Sequence, residues 1–257
     1  MSEVDRTGGL PLGPGVGVIH RGAVLALDKP AGLKVHPNRS GRVERALVRA
    51  PYDFEREAYV LEDGGFLYLC NRLDSPTSGV VLLARTEEQA QALKTRFARR
   101  QVEKTYLAVL KGGPAEGKHT WKDVLRREKR EGRLRVRVLP ERRPNAGGML
   151  AETRVEAVAG LDAGGDRLSL VRLQPVTGRT HQLRAQAAAH GHPILGDKTY
   201  GDFALNKRVA KHFGPRRLML HACEVRFRYD EGGRAAIFHA RSPLPGSWRK
   251  AFGIDDA

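Results

Sequence analysis

Three short stretches of this 257-residue chain combine residue types and spacings that can carry out chemistry. NRLDSPTSG (71–79) places Asp74 between FLYLC (66–70) and VVLLAR (80–85), two runs of β-formers, so the aspartate belongs to a tight loop held by two buried walls. A carboxylate so placed can act as a nucleophile, a base or the counter-charge of a cation. It can equally be a turn residue whose carboxylate accepts the N–H groups of Thr77 and Ser78. VEKTYLAVLKG (102–112) alternates as a strand, with Tyr106 on the face of Lys104. VTGRTHQLR (176–184) reads as a turn and helix entry, Thr177-Gly178-Arg179-Thr180 supplying the cap and Arg184 falling in the second turn, on a face that looks back at a sheet. A buried arginine needs an acid; Asp74 is one candidate and another core carboxylate is the other.

The elements that must hold these residues are mostly strands. AVLALDKPAG (23–32) is a strand running into a Pro-Ala-Gly turn, and TEEQAQALKTRFARR (86–100) is a helix with Thr86 and Gln89 in capping-box positions and an apolar stripe of Ala90, Leu93 and Phe97. ETRVEAVA (152–159) and RLSLVRLQP (167–175) are strands, THQLRAQAAAHG (180–191) is a short helix with Gly191 past its end, and MLHACEVRFRY (219–229) with RAAIFHA (234–240) is a hairpin turned by Asp-Glu-Gly-Gly. Without strict strand–helix alternation, the pattern predicts an α+β fold with a mostly antiparallel sheet. TGGLPLGPGVG (7–17) belongs to an expected flexible lead-in, 1–19, and lacks the Gly-Lys-Ser/Thr ending of a phosphate-binding loop. No repeat or linker interrupts 20–257, which is expected to be one domain.

Charge points to the partner. Forty-five Lys and Arg stand against 29 Asp and Glu, a formal +16, and such an excess favours a polyanion. Segment 122–143 holds ten of the cations against four acids. Within it RLRVRVL (133–139) alternates Arg133, Arg135 and Arg137 with apolar residues, a half-buried strand whose outer face is a row of guanidinium groups. No stretch approaches a membrane span and MSEVDRTGG has no apolar signal core, so a cytoplasmic protein is expected. Cys70 and Cys223 lack Cys-x-x-Cys spacing, and His181, His190, His192 and His221 lack paired ligand spacing, so no metal is expected.

NRLDSPTSGVVLLART, EKTYLAVLKG, VTGRTHQLRAQAAAHGHPILGDKTYG and LMLHACEVRF, in that order and after an opening LALDKPAGLKVHP, resemble the successive motifs of the RluA-type RNA pseudouridine synthases over roughly residues 20–245. The resemblance implies isomerisation of specific uridines in ribosomal or transfer RNA to pseudouridine, on an α+β domain with a mixed central sheet and a catalytic cleft, with no cofactor. It implies Asp74 as the catalytic aspartate, Tyr106 as the residue stacking under the uracil, Arg184 as the cation paired with Asp74, and Arg72 as the side chain filling the space of a flipped nucleotide. The RNA-contacting set expected is Arg72, Asn71, Thr77, Lys104, Arg179, Thr180, His181 and Gln182, joined by Arg133, Arg135 and Arg137.

Two positions depart from the family pattern: Asn71 stands where histidine is usual, and Ser75 where a basic residue often follows the aspartate. Both bear on contacts around the flipped base. Too few residues precede AVLALDKP for the separate N-terminal RNA-binding domain of many relatives, so the catalytic domain itself is expected to bind RNA, as a monomer. A catalytically vestigial RNA-binding or RNA-folding module is the competing reading, against which the intact Asp74, Tyr106 and Arg184 speak. A DNA-binding protein fits the charge but not the motifs.

Overall fold

A computed structural model describes residues 9–37, 43–114, 117–130, 132–139, 147–209, 217–231 and 234–254. The chain divides into two compact units, Met1–Val102 with Ala222–Ser242, and Glu103–His221 with Pro243–Ala257. The first two crossings fall at strand ends, β7 (Val102–Lys111) and β12 (Leu220–Glu231), where no Gly/Pro-rich stretch marks a boundary in the sequence.

In the first unit the organising strand is β6 (Ser78–Ala84), every residue of which is buried. Such a strand reads as a continuous apolar run because neighbours cover it on all sides. β2 (Val24–Lys29) pairs along it antiparallel from Val24↔Ala84 to Lys29↔Gly79, and β5 (Phe66–Leu69) pairs on the other edge through Tyr68↔Ala84 and Leu69↔Leu83. β4 (Ala58–Val60) and β3 (Tyr52–Asp53) extend the sheet beyond β5, β1 (Gly17–His20) pairs with β2, and β12 forms the expected hairpin with β13 (Arg234–Arg241). α1 (Glu87–Ala98) starts at Thr86, whose Oγ1 accepts the Gln89 N–H at 3.3 Å. The capping box is only half made, since the buried Gln89 Oε1 has no partner among the described residues. Ala90 and Leu93 pack with Val80, Leu82, Val225 and Phe227, with Phe97 against the edge of that cluster.

The expected loose lead-in is seated from Pro11 onward. Arg49 N–H donates to Pro11 O at 2.6 Å, Gly13 N–H donates to Leu47 O at 2.9 Å, and Leu12 is buried. Residues 1–8 of that lead-in lie outside the described residues.

The second unit is an antiparallel sheet in the order β7, β11 (Arg167–Pro175), β10 (Met149–Asp162), β8 (Lys118–Arg130), β9 (Arg133–Leu139). β8 is a 13-residue strand where the sequence showed only a basic segment. Charges on both of its faces hide the period of two by which a half-buried strand is recognised. α2 (Gln182–Ala189), α3 (Phe203–Arg208) and α4 (Gly246–Phe252) pack with this sheet in a core that includes Leu110, Leu170, Leu173, Leu183, Leu205 and Trp248.

Candidate active site

The loop after β5 is built around the backbone of Asp74. Thr77 N–H, which a side-chain turn would direct to the carboxylate, donates instead to the Asp74 main-chain carbonyl at 2.9 Å and closes a tight turn. Lys29, wholly buried, reaches the next residue: its Nζ donates to Ser75 O at 3.0 Å, Leu33 O at 2.8 Å and Pro30 O at 3.0 Å. Ser75 returns its hydroxyl to Gly32 O at 3.0 Å, and Gly32 N–H donates to Ser75 O at 2.8 Å. The aspartate loop is thus fastened to the Pro-Ala-Gly turn after β2 by an ammonium whose desolvation is met by carbonyl dipoles.

Asn71 is spent inside the unit, its Oδ1 accepting Leu82 N–H at 2.7 Å from the flank of β6. Thr77 is 2 % exposed, whereas Arg72 is exposed and Asp74 half-exposed. At the entry to β6, Gly79 has φ +114°, and a Cβ there would lie 2.1 Å from Ala222 O of β12. Only glycine allows that approach.

In the second unit Arg184 has a carboxylate partner that sequence reasoning did not single out. Its Nε and Nη2 donate to Asp197 Oδ2 and Oδ1 at 2.7 and 2.9 Å, with 6 % and 1 % of the two side chains exposed. Asp197 Oδ1 also accepts Thr199 N–H at 2.7 Å and Tyr200 N–H at 3.1 Å. Burial alone would push the Asp197 carboxyl up; the Arg184 fork and the two backbone donors outweigh it and hold the group below the usual carboxylate range. Tyr200 completes the fixture: its ring lies 5.4 Å from the Arg184 guanidinium carbon, and its hydroxyl accepts Val136 N–H of β9 at 2.8 Å and shares a 2.9 Å hydrogen bond with His181 Nδ1. Asp197 and Tyr200 both lie in LGDKTYG, where an Asp two and three residues before its N–H donors is the signal that could have found it.

The entry to α2 differs from the expected Thr180 cap. Its first flanking residue is His181, in the left-handed region at φ 50° and making no side-chain cap bond. The capping work falls to Gln182, buried, whose Oε1 accepts Thr177 Oγ1–H at 2.7 Å and Arg179 N–H at 3.0 Å, while its Nε2 donates to Glu152 O and Thr153 Oγ1, each at 3.0 Å. Both ends of that amide are consumed by the fold. Thr180 Oγ1 accepts Arg127 Nη2–H at 2.7 Å, and Arg179 Nε donates to Leu150 O at 3.3 Å.

Strand register decides which side chains share a face. Directly paired residues lie on one face of an antiparallel ladder. Tyr106↔Leu173, Leu173↔Val155 and Val155↔His119 therefore align on one side, and Trp121, Asp123, Leu125 and Arg127 follow on that side at every second residue of β8. α2 lies on this face: Gln186 Nε2 donates to Asp123 Oδ2 at 2.6 Å, and His190 stacks on Trp121 at 4.9 Å. Lys104 shares it with Tyr106, and burial pulls its ammonium down to about 8. The guanidinium row does not. Arg137↔Arg126 and Arg135↔Glu128 alternate with Val136↔Arg127, so Arg135 and Arg137 project from the opposite side, both exposed; the side chain of Arg133 lies outside the described residues.

The first unit thus carries Asp74 on a loop whose backbone is clamped, and the second carries Tyr106 and the desolvated Lys104 on one sheet face. The model of the RNA pseudouridylate synthase family matches residues 23–189. Over 225 residues the chain is 35% identical to tRNA pseudouridine synthase C of Yersinia pestis, covering 86% of this chain and 84% of that one. It is 31% identical over 234 residues to ribosomal large subunit pseudouridine synthase C of Pasteurella multocida, covering 90% and 64%. Among solved structures, Human RNA Pseudouridylate Synthase Domain Containing 1 superposes with a TM-score of 0.68 at 25% identity, covering 94% of this chain and 89% of that one. The chain belongs to the RNA pseudouridylate synthase family, of the RluA type, and is an isomerase that turns uridine in RNA into pseudouridine.

Proposed function

We propose that this enzyme modifies a uridine of transfer RNA, with Asp74 as the catalytic carboxylate, Tyr106 beneath the uracil, Arg184 as the cation opposing the Asp74 charge, and Arg72 occupying the space of the extruded nucleotide. The transfer-RNA assignment is supported by the tRNA pseudouridine synthase C of Yersinia pestis, 35% identical over most of both chains. Substrate and product are isomers: the C1′–N1 bond breaks, the uracil turns, C5 joins C1′, and the proton lost from C5 is balanced by one gained at N1. Nothing is oxidised and no co-substrate is consumed, and the enzyme is proposed to work without a cofactor or metal. Among the described residues no group of three or more His, Cys, Asp and Glu is placed to hold a metal ion.

The observation that carries the reading is the clamp on the aspartate loop: Lys29 and Ser75 fasten the backbone immediately after Asp74 to the Pro-Ala-Gly turn, and Asp74 itself is half-buried. A carboxylate on a backbone fastened in that way can attack C1′, stabilise positive charge on the sugar, or assist removal of the C2′ proton. Tyr106 offers a flat face for the base and a hydroxyl at its edge. The cations that share the Tyr106 face, Lys104 and Arg127, with Arg179 beside them, are the proposed phosphate contacts, whereas Asn71 and Gln182 act by holding β6 and the α2 entry in place. The enzyme is proposed to work as a cytoplasmic monomer; among the described residues no helix is long and apolar enough to cross a membrane.

Asp74→Asn keeps the shape and removes the charge, so pseudouridine formation on a transfer-RNA transcript should disappear while RNA affinity is largely kept. Near-normal turnover in that variant overturns the role of Asp74. Mapping pseudouridine in total RNA from cells with and without the gene tests the substrate: sites lost from ribosomal RNA alone refute the transfer-RNA assignment.

A further inference from the structure

The side of the second unit's sheet that faces away from Tyr106 and α2 carries a cluster of cations that the active-site chemistry does not use. Register places Lys118 opposite Glu156, Arg154 opposite Thr120, Lys122 opposite Glu152, Arg137 opposite Arg126, and Arg135 opposite Glu128, all on this side of β8, β9 and β10. Two of the acids are occupied: Glu128 by Arg126 at 2.8 Å and Glu156 by Arg172 of β11 at 2.7 Å. Lys118, Lys122, Arg135, Arg137 and Arg154 are exposed and have no acidic partner within ion-pair distance among the described residues, and Glu152, opposite Lys122, is the third acid on this side. Five exposed cations against one acid not already in an ion pair leave this side strongly positive, and the mutual repulsion is relieved when a polyanion lies across it. Their spacing is that of the sheet, about 4.8 Å between strands and about 6.7 Å between alternate residues of one strand.

We propose that this reverse face binds the phosphate backbone of a double-helical arm of structured RNA, separately from the face that carries Tyr106. An array of donors spread along a sheet face suits a duplex, which is recognised by its shape and its phosphates rather than by base edges. A folded RNA is then held by two surfaces of the enzyme, and a short stem-loop by one. The proposal rests on the RNA-modifying reading above.

The test compares a full-length transfer-RNA transcript with a short stem-loop containing the target uridine. For Lys118→Gln/Lys122→Gln/Arg154→Gln, the slope of log affinity against log salt on the full-length transcript should flatten by roughly 0.7–0.9 for each phosphate that the variant no longer neutralises. Turnover on the stem-loop should equal that of the wild type, which also reports that the variant is folded. A second variant, Arg135→Gln/Arg137→Gln, should flatten the same slope independently. An unchanged slope in both variants, as expected if the face meets an acidic protein or only solvent, overturns the proposal, and so does an equal loss on both RNAs. Failure of the wild type to form pseudouridine on either RNA would instead remove the functional reading, a result distinct from both.

Discussion

Asp197→Ala isolates the pair on which the geometry of Arg184 depends. The substitution leaves a guanidinium only 6 % exposed without the carboxylate that meets it at 2.7 and 2.9 Å, and it removes the acceptor of two backbone N–H groups. Breaking a buried pair from one side costs about 3–5 kcal/mol, because the surviving charge stays desolvated. For a chain of this size that corresponds to a fall of roughly 6–20 °C in Tm at about 2–4 °C per kcal/mol. Removing both charges while keeping an acceptor for the Thr199 and Tyr200 N–H groups, as in Arg184→Met/Asp197→Asn, should recover most of the loss, since the charge left unpaired by the single change is gone. The double variant should melt well above Asp197→Ala yet form no pseudouridine, which separates the structural part of Arg184 from its proposed part in catalysis. Thermal unfolding followed by circular dichroism, with turnover measured on the same samples, reads both quantities. A melting temperature for Asp197→Ala within about 2 °C of the wild type, on the scale of about 2–4 °C per kcal/mol, refutes the reasoning. The sign with pH follows from the lowered Asp197 carboxyl: its stabilisation is fully present above the unfolded value near about 3.9 and is lost as pH falls through the folded one, so wild type and Asp197→Ala should converge in acid.

Lys104, pulled down to about 8 by burial, loses its charge as pH rises through that value, so RNA affinity of the wild type should fall between about pH 7 and 9 more steeply than that of Lys104→Gln. Its depressed value also means that the unfolded chain holds the proton longer, so stability relative to Lys104→Met should rise from about pH 8 to about 10.4; parallel curves from a denaturant series refute this. Arg72→Ala should slow modification of folded RNA far more than of an unstructured oligonucleotide, because extrusion from a stack costs a few kcal/mol; equal losses in single-turnover rates mean that Arg72 does not replace the flipped base. Gly79→Ala should cost roughly 3 kcal/mol or more, the strain of a positive φ adding to a Cβ placed 2.1 Å from Ala222 O, and an unchanged denaturation midpoint is inconsistent with that close approach.

The linear order of residues determines much of this protein by itself. Period-two alternation set β7 and β11 nearly to the residue, the β-former runs flanking Asp74 became β5 and β6, and Thr86 and Gly191 marked the start of α1 and the end of α2, because backbone sterics and local capping act over a few residues. The ordered motifs likewise carried the family. What the chain could not announce was set by contacts between distant positions. Alternation shows that Arg135 and Arg137 share a face, but only the successive registers from β9 through β8, β10 and β11 to β7 decide that Tyr106 lies on the other one. A one-residue slip in any ladder would reverse the answer. Gln182 looks like an exposed helix-entry residue until the fold brings Glu152 and Thr153 against it. The need of Arg184 for an acid was legible from its type and burial, whereas Asp197 became its bidentate partner through the loop that returns thirteen residues later beneath the helix, an energetic choice made by desolvation that exists only in the folded chain.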